Sequence, residues 1–195
     1  MMDMVKVGKH TALIVVDVQN DFCPGGALPV PDGDKVVPVL NRYIDFFRAA
    51  GAPIFFTRDW HPKDHISFKE YGGIWPPHCI QNTWGAEFHP ALKVGKGDFI
   101  ISKGFERLKE AYSGFEETDL DEQLKRLNIK ELFVGGLATE YCVKYTVLDG
   151  LRRGYRVYLL EDAVRGVDKN KGDSVRAIEE MVKAGAVKIS LNHLE

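Results

Sequence analysis

Apolar residues along this chain come in short runs closed by polar ones, with helical-period segments between them. Thr11 to Val18 is a largely apolar run ended by Gln19-Asn20-Asp21 and predicts a buried strand. Val36, Val37, Leu40, Tyr43, Ile44 and Phe47 recur at the spacing of one helix face, and Gly51 is placed to stop that helix. Pro53 to Arg58 predicts a second strand and Asp98 to Ser102 a third. Thr118 can cap a helix running to about Leu127, with Asp119, Asp121 and Glu122 in its first turn. Glu131 to Val134 predicts a fourth strand that runs into Gly135-Gly136, and Thr139 caps a helix reaching about Arg153. Tyr155 to Leu160 predicts a fifth strand, Lys171 to Ala184 a helix stopped by Gly185, and Val187 to Ser190 a short sixth strand.

Strands alternating with helices predict an α/β fold: a doubly wound, mostly parallel six-stranded sheet with helices on both faces. Right-handed crossovers bring the carboxyl ends of the strands to one edge, where ligands bind near the switch point of an open sheet. The segment Asp59 to Gly97 is nearly forty residues without a regular element. Loops of that length inside a compact domain are usually functional, so it is a candidate site wall. At 195 residues the chain is expected to be one domain, 1–195, carrying that loop.

Composition narrows the function classes. Hydrophobic residues are 45% and charged residues 28%, which fits a globular chain and not a disordered or coiled-coil one. The formal net charge of −2 gives no basic surplus, so no nucleic-acid partner is expected. The apolar runs fall far short of the roughly 18 residues that span a bilayer, so no membrane partner is expected either. Met1 to His10 mixes Asp3 with Lys6 and Lys9 and has no apolar core, unlike a secretory signal. The three cysteines cannot all pair internally, which points to a reducing compartment and a cytoplasmic location.

The predicted strand ends carry the candidate chemistry. Asp17 ends strand one, Asp59 and His61 follow strand two, Lys103 follows strand three, and Cys142 falls in the first turn of the helix after strand four. A thiol near a helix N-terminus is expected to have a lowered pKa, and the backbone around Ala138 and Cys142 could form an oxyanion hole. Cys142 could equally be a small buried hydrophobe, Asp17 a turn residue and Lys103 a solvated loop lysine. Together, a carboxylate can take the thiol proton and a cation can hold the geometry. Asp59 and His61, two apart on an extended segment, point the same way, and His78 in Trp75-Pro76-Pro77-His78 can add a third ligand. An Asp/His/His set suits catalytic Zn²⁺, Fe²⁺ or Mn²⁺. His65 is open between metal ligand and support for a ligand. Cys23 and Cys79 read as structural, and His10, His89 and His193 as surface residues.

These segments resemble the nicotinamidase branch of the isochorismatase-like cysteine hydrolase superfamily. The matching pieces are Asp17-Val18-Gln19-Asn20-Asp21-Phe22, Thr57-Arg58-Asp59-Trp60-His61-Pro62, Trp75-Pro76-Pro77-His78, Lys103-Gly104 and Gly136-Leu137-Ala138-Thr139-Glu140-Tyr141-Cys142-Val143. The resemblance implies Asp17, Lys103 and Cys142 as catalytic triad, Ala138 and Cys142 as oxyanion-hole donors, and Asp59, His61 and His78 as metal ligands with zinc foremost. It further implies Phe22, Trp75 and Ala138 as substrate contacts and a cis bond between Leu137 and Ala138. The implied activity is metal-dependent hydrolysis of nicotinamide, with pyrazinamide as a second substrate, in NAD salvage. The alternatives are a related amidase on an N-carbamoyl or ureido substrate and a non-catalytic metabolite-binding relative. The resemblance leaves monomer and homo-oligomer both open.

Overall fold

The computed structural model describes residues 4–195, so Met1 to Asp3, the start of the segment read as lacking a signal, lie outside it. Six strands form one sheet: β1 (Thr11–Val16), β2 (Ile54–Asp59), β3 (Phe99–Lys103), β4 (Glu131–Leu137), β5 (Arg156–Arg165) and β6 (Val187–Ile189). Their order is β3-β2-β1-β4-β5-β6, and every pairing is parallel. The order reverses between β1 and β4, so the switch point lies where Asp17 and the segment after Leu137 leave the sheet.

Helices cover both faces. Leu13 and Val15 of β1 pack with Leu40, Ile44 and Phe47 of α1 (Val36–Ala49). Ala12, Ile14 and Val16 face the other way, against α2 (Leu120–Arg126), α3 (Lys144–Arg152) and α4 (Asp173–Lys183) through Leu120, Leu124, Val147 and Met181. The period-2 alternation of a strand whose six residues are all buried thus feeds two cores, which is why it reads as a continuous apolar run. Among the described residues no helix is long and apolar enough to cross a membrane.

The departures from the predicted boundaries that bear on the site sit at the functional edge; elsewhere α2 begins at Leu120 and not Thr118, and α4 at Asp173 and not Lys171. β1 ends at Val16 instead of Val18, because Asp17 takes a left-handed backbone at φ 49°. β4 continues through Gly135-Gly136 to Leu137, and β5 continues past Leu160 to Arg165, pairing Gly136 with Val164 across a register shift. Gly136 sits at φ 125°, and a Cβ there would stand 2.1 Å from the Val16 carbonyl oxygen, so only glycine lets β4 lie this close to β1. Thr139 opens no regular helix. Thr139–Val143 is a wide π-helical turn in which Tyr141 leaves helical geometry (φ −118°, ψ −105°), and α3 begins at Lys144. The Leu137–Ala138 peptide bond is cis, as the resemblance implied.

Candidate active site

Three strand ends deliver three charged side chains to one buried point. Asp59 and Lys103 close β2 and β3 and are direct partners in the register of those strands. Asp17 leaves β1 next to them, its N–H bonded to the Thr57 carbonyl and its Oδ1 accepting from Thr57 Oγ1 at 2.6 Å. Lys103 Nζ donates to Asp59 Oδ1 and lies 2.8 Å from Asp17 Oδ2 and 3.3 Å from Cys142 Sγ. The Asp17 and Lys103 side chains have no exposure, and Asp59 and Cys142 very little. Burial alone would drive Lys103 toward its neutral form. Asp17 and Asp59 outweigh that and hold the ammonium well above its ordinary pKa.

Asp17 is shaped as a proton acceptor. Its Oδ2 is the buried side-chain oxygen that accepts no hydrogen bond among the described residues; Lys103 is close enough to pair with it ionically but is not aligned to donate. Burial raises the Asp17 pKa above the ordinary carboxylate value, Lys103 opposing and Asp59 reinforcing. The expectation of a thiol acidified by a helix terminus is corrected here. Burial pushes the Cys142 thiol well above its ordinary pKa, against the pull of Lys103, and nearby Asp17 and Asp59 push it further the same way. Cys142 also sits in the π-helical turn ahead of α3, not in a regular first turn. A thiol so placed rests protonated and needs a base at hand, and oxygens of Asp17 and Asp59 lie within 4.8 Å of its sulfur.

On the far side of Asp59 a second cluster forms. Asp59 Oδ2 lies 3.5 Å from His61 Nε2 and 3.8 Å from His78 Nε2. His61 Nδ1 donates to the Gly104 carbonyl at 2.7 Å and His78 Nδ1 to the Pro76 carbonyl at 2.8 Å. With Nδ1 committed to a carbonyl, Nε2 is in each ring the nitrogen turned toward Asp59, the atom a metal would take from the neutral imidazole. The long loop makes this meeting by folding back on itself: His61 N–H bonds the Cys79 carbonyl and Gln81 N–H the His61 carbonyl, which brings His78 alongside. Two imidazole nitrogens and a carboxylate oxygen fit a divalent cation. Burial would raise Asp59, but the Lys103 ammonium beside it, with His61, holds the carboxyl well below its ordinary pKa, so it stays an anionic donor.

His65 does not face this cluster with a free nitrogen. Its Nε2 donates to the Lys109 carbonyl at 2.9 Å, and its Nδ1 accepts from Ser67 Oγ at 2.7 Å and Ser67 N–H at 3.2 Å. The ring stacks on His61 with centroids 4.1 Å apart. It therefore braces a candidate ligand.

A pocket opens beside Cys142, walled by Phe22, Trp75 and Ala138 and bordered by Asp59 and His78. The structure adds residues that sequence reasoning missed. Tyr112 and Tyr141 also line the pocket, and Trp75 Nε1 donates to Tyr112 Oη at 3.1 Å. Gln19 grips the backbone of Asp59 from both sides, donating to its carbonyl and accepting from its N–H. Asp21 accepts from Cys79 N–H at 2.7 Å and so anchors the residue after His78. Gln19 and Asp21 belonged to the matching pieces, yet nothing local tells a buried clamp from a solvated loop residue. Of the remaining cysteines, Cys23 and Cys79 are buried; of the remaining histidines, His10 is exposed and His89 and His193 half-buried.

The isochorismatase domain is matched over residues 11–193. The chain belongs to the isochorismatase family. Within the family it is 43% identical over 201 residues to the nicotinamidase of Escherichia coli (strain K12), covering 92% of this chain and 94% of that one. Its fold superposes with a TM-score of 0.90 on the pyrazinamidase of Pyrococcus horikoshii in complex with zinc, at 53% identity, over 93% of this chain and 99% of that one. PnC1 from L. infantum in complex with nicotinate matches with a TM-score of 0.91 at 32% identity, over 98% of both chains. These isochorismatase-family relatives support an amide hydrolase that takes a small-molecule substrate and binds a divalent metal.

Proposed function

We propose that the chain hydrolyses nicotinamide, and pyrazinamide as a second substrate, to the acid and ammonia by way of a Cys142 thioester. The observation that carries this reading is Lys103 Nζ, one buried ammonium shared by Asp17, Asp59 and Cys142 at the pocket. It joins a base and a nucleophile to a metal-ligand set. The relatives named nicotinamidase and pyrazinamidase supply the substrate class.

In this mechanism Asp17 Oδ2 takes the Cys142 proton and the sulfur attacks the carboxamide carbon. The oxyanion turns to the backbone N–H groups of Ala138 and Cys142. Asp17 returns the proton to the leaving nitrogen, and ammonia departs as the thioester forms. Asp17 then takes a proton from water, which attacks the thioester and releases the acid and the thiol. Lys103 holds Asp17 in place and balances the negative charge of each step. Phe22 and Trp75 clamp the ring. When bound at Asp59, His61 and His78, a divalent cation, zinc in this reading with Fe²⁺ or Mn²⁺ also suited to the donors, supplies a Lewis-acid position for the ring nitrogen. The reading assigns the activity to NAD salvage, in the cytoplasm expected of a chain whose three cysteines cannot all pair.

Ammonia release from nicotinamide, measured with the metal content of the same sample, tests the proposal. Turnover that tracks one metal per chain is expected; a metal-loaded sample that releases no ammonia overturns it.

A further inference from the structure

Glu140 stands two residues before Cys142 and has no part in the chemistry above. Its side chain is only 9% exposed. The nearby cation Lys144 turns away to Glu180 at 3.1 Å. Glu140 instead reaches across to the segment between β5 and α4. One oxygen, Oε1, accepts from two successive backbone N–H groups, Val167 at 2.7 Å and Asp168 at 2.9 Å. The other, Oε2, lies 3.4 Å from Ser174 Oγ, whose proton goes to Asp168 Oδ2 at 2.9 Å. Asp168 in turn accepts from Ser174 N–H at 2.8 Å, so the segment is tied to the start of α4 as well. The room for this carboxylate comes from Gly166, where a Cβ would fall 2.4 Å from Glu140 Oε2 and 1.8 Å from Ser174 Oγ.

The two segments that this link joins both reach the pocket: Val167 lines it on one side, and Tyr141 and Cys142, the residues after Glu140, line it on the other. The turn that carries Cys142 is irregular, with Tyr141 out of helical geometry between Glu140 and the nucleophile; Tyr141 and Val143 N–H both bond the Ala138 carbonyl, and the Glu140 carboxylate ties the turn to a segment outside it. Two successive backbone N–H groups on one buried side-chain oxygen tie the segment to the turn, and an amide oxygen at the same place can accept both as well. A shift of about 1 Å in a reacting group costs on the order of 10²-fold in rate.

We propose that Glu140 is a positioning residue: its carboxylate bolts the 166–168 segment to the nucleophile's turn, so that the Val167 wall and the Cys142 sulfur keep a fixed spacing across the substrate. The kinetic part rests on the amide-hydrolase reading above. The alkylation part does not.

The test compares Glu140→Ala, Glu140→Gln and Gly166→Ala in the full, metal-loaded chain. Glu140→Gln keeps the side-chain length and a carbonyl oxygen for the two N–H groups, so it should retain kcat and KM within about threefold. Glu140→Ala should lower kcat for nicotinamide by about tenfold and raise KM, with metal content and thermal midpoint showing a folded, loaded chain. Gly166→Ala displaces the same carboxylate from the other end. It should reproduce the Glu140→Ala kinetics and fail to add to them in the double variant, and it carries the test if Glu140→Ala does not fold. Alkylation of Cys142 by iodoacetamide, followed by mass spectrometry without substrate, should change in Glu140→Ala and Gly166→Ala but not in Glu140→Gln.

Equal losses in Glu140→Gln and Glu140→Ala would mean that charge, not the tether, matters, and would overturn the proposal. So would folded Ala variants with wild-type kinetics and alkylation, or additive effects in the double variant. If the wild type released no ammonia, the functional reading would fail while the alkylation pattern still decided the role of Glu140.

Discussion

Asp59 and Lys103, register partners at the ends of β2 and β3, put one carboxylate between two kinds of chemistry. Asp59 Oδ1 receives the Lys103 ammonium, while Oδ2 faces the His61 and His78 imidazoles. The candidate metal site and the candidate nucleophile are therefore joined through a single side chain. Asp59→Asn and His78→Ala should both lose the metal, but only Asp59→Asn should also release Lys103. With both variants metal-free, Cys142 alkylation should change several-fold in Asp59→Asn and stay at the metal-free wild-type rate in His78→Ala. Equal rates would show that Asp59 serves the metal alone.

Cys142→Ala removes the proposed nucleophile without disturbing the aromatic walls. It should bind nicotinamide, seen by calorimetry, while ammonia release falls by on the order of 10⁴-fold or more. Substantial residual turnover would move the nucleophile elsewhere.

Asp17 gives the pH dependence its sign. The base must be ionised to take the thiol proton, and burial raises its pKa above the ordinary carboxylate value. Protonation therefore disarms it at a higher pH than an exposed aspartate would allow. The acid limb of kcat/KM should lie clearly above pH 4, roughly the ordinary aspartate value, in samples whose metal content is constant across the range. An acid limb at or below that value would count against a raised Asp17 pKa, and an active Asp17→Asn would rule out Asp17 as the base.

How much of this was legible in the sequence depends on how local the cause is. Asp17, Asp59 and Lys103 each end an apolar run, so the strand pattern alone placed them at one sheet edge. The ends of β4 and β5 were not legible. Gly135-Gly136 reads as a strand terminator until the close approach of β1 is known, and Glu161-Asp162 interrupts the apolar pattern of β5 while pairing resumes beyond it. The protonation of Cys142 was misread because position on a helix is a local property and burial is not. Glu140, Gln19 and Tyr112 act through partners 27, 40 and 37 residues away, which no local spacing reveals.

Gly136→Ala tests the closeness of β1 and β4. The added Cβ meets the Val16 carbonyl oxygen, and the backbone is in a region that favours glycine. A loss of about 3 kcal/mol in urea unfolding is expected. A change under about 0.5 kcal/mol would mean that the two strands part readily.

His65 offers a sharp test of the metal cluster, because its two ring nitrogens are already spoken for. Nε2 must carry a proton to bond the Lys109 carbonyl, which leaves Nδ1 to accept from Ser67. Neither lone pair is then free for a cation, and the ring's contribution is to stack on His61 and hold its Nε2 in line. Supporting residues of this kind typically affect metal affinity by 10–100-fold, whereas loss of a ligand removes the site. His65→Ala should therefore keep one metal per chain at saturating zinc, with affinity weakened about tenfold or more, while His61→Ala and His78→Ala should retain none after the same dialysis. If His65→Ala emptied the site as completely as His61→Ala, the ring would have to turn from Lys109 when metal binds, and His65 would join Asp59, His61 and His78 as a ligand.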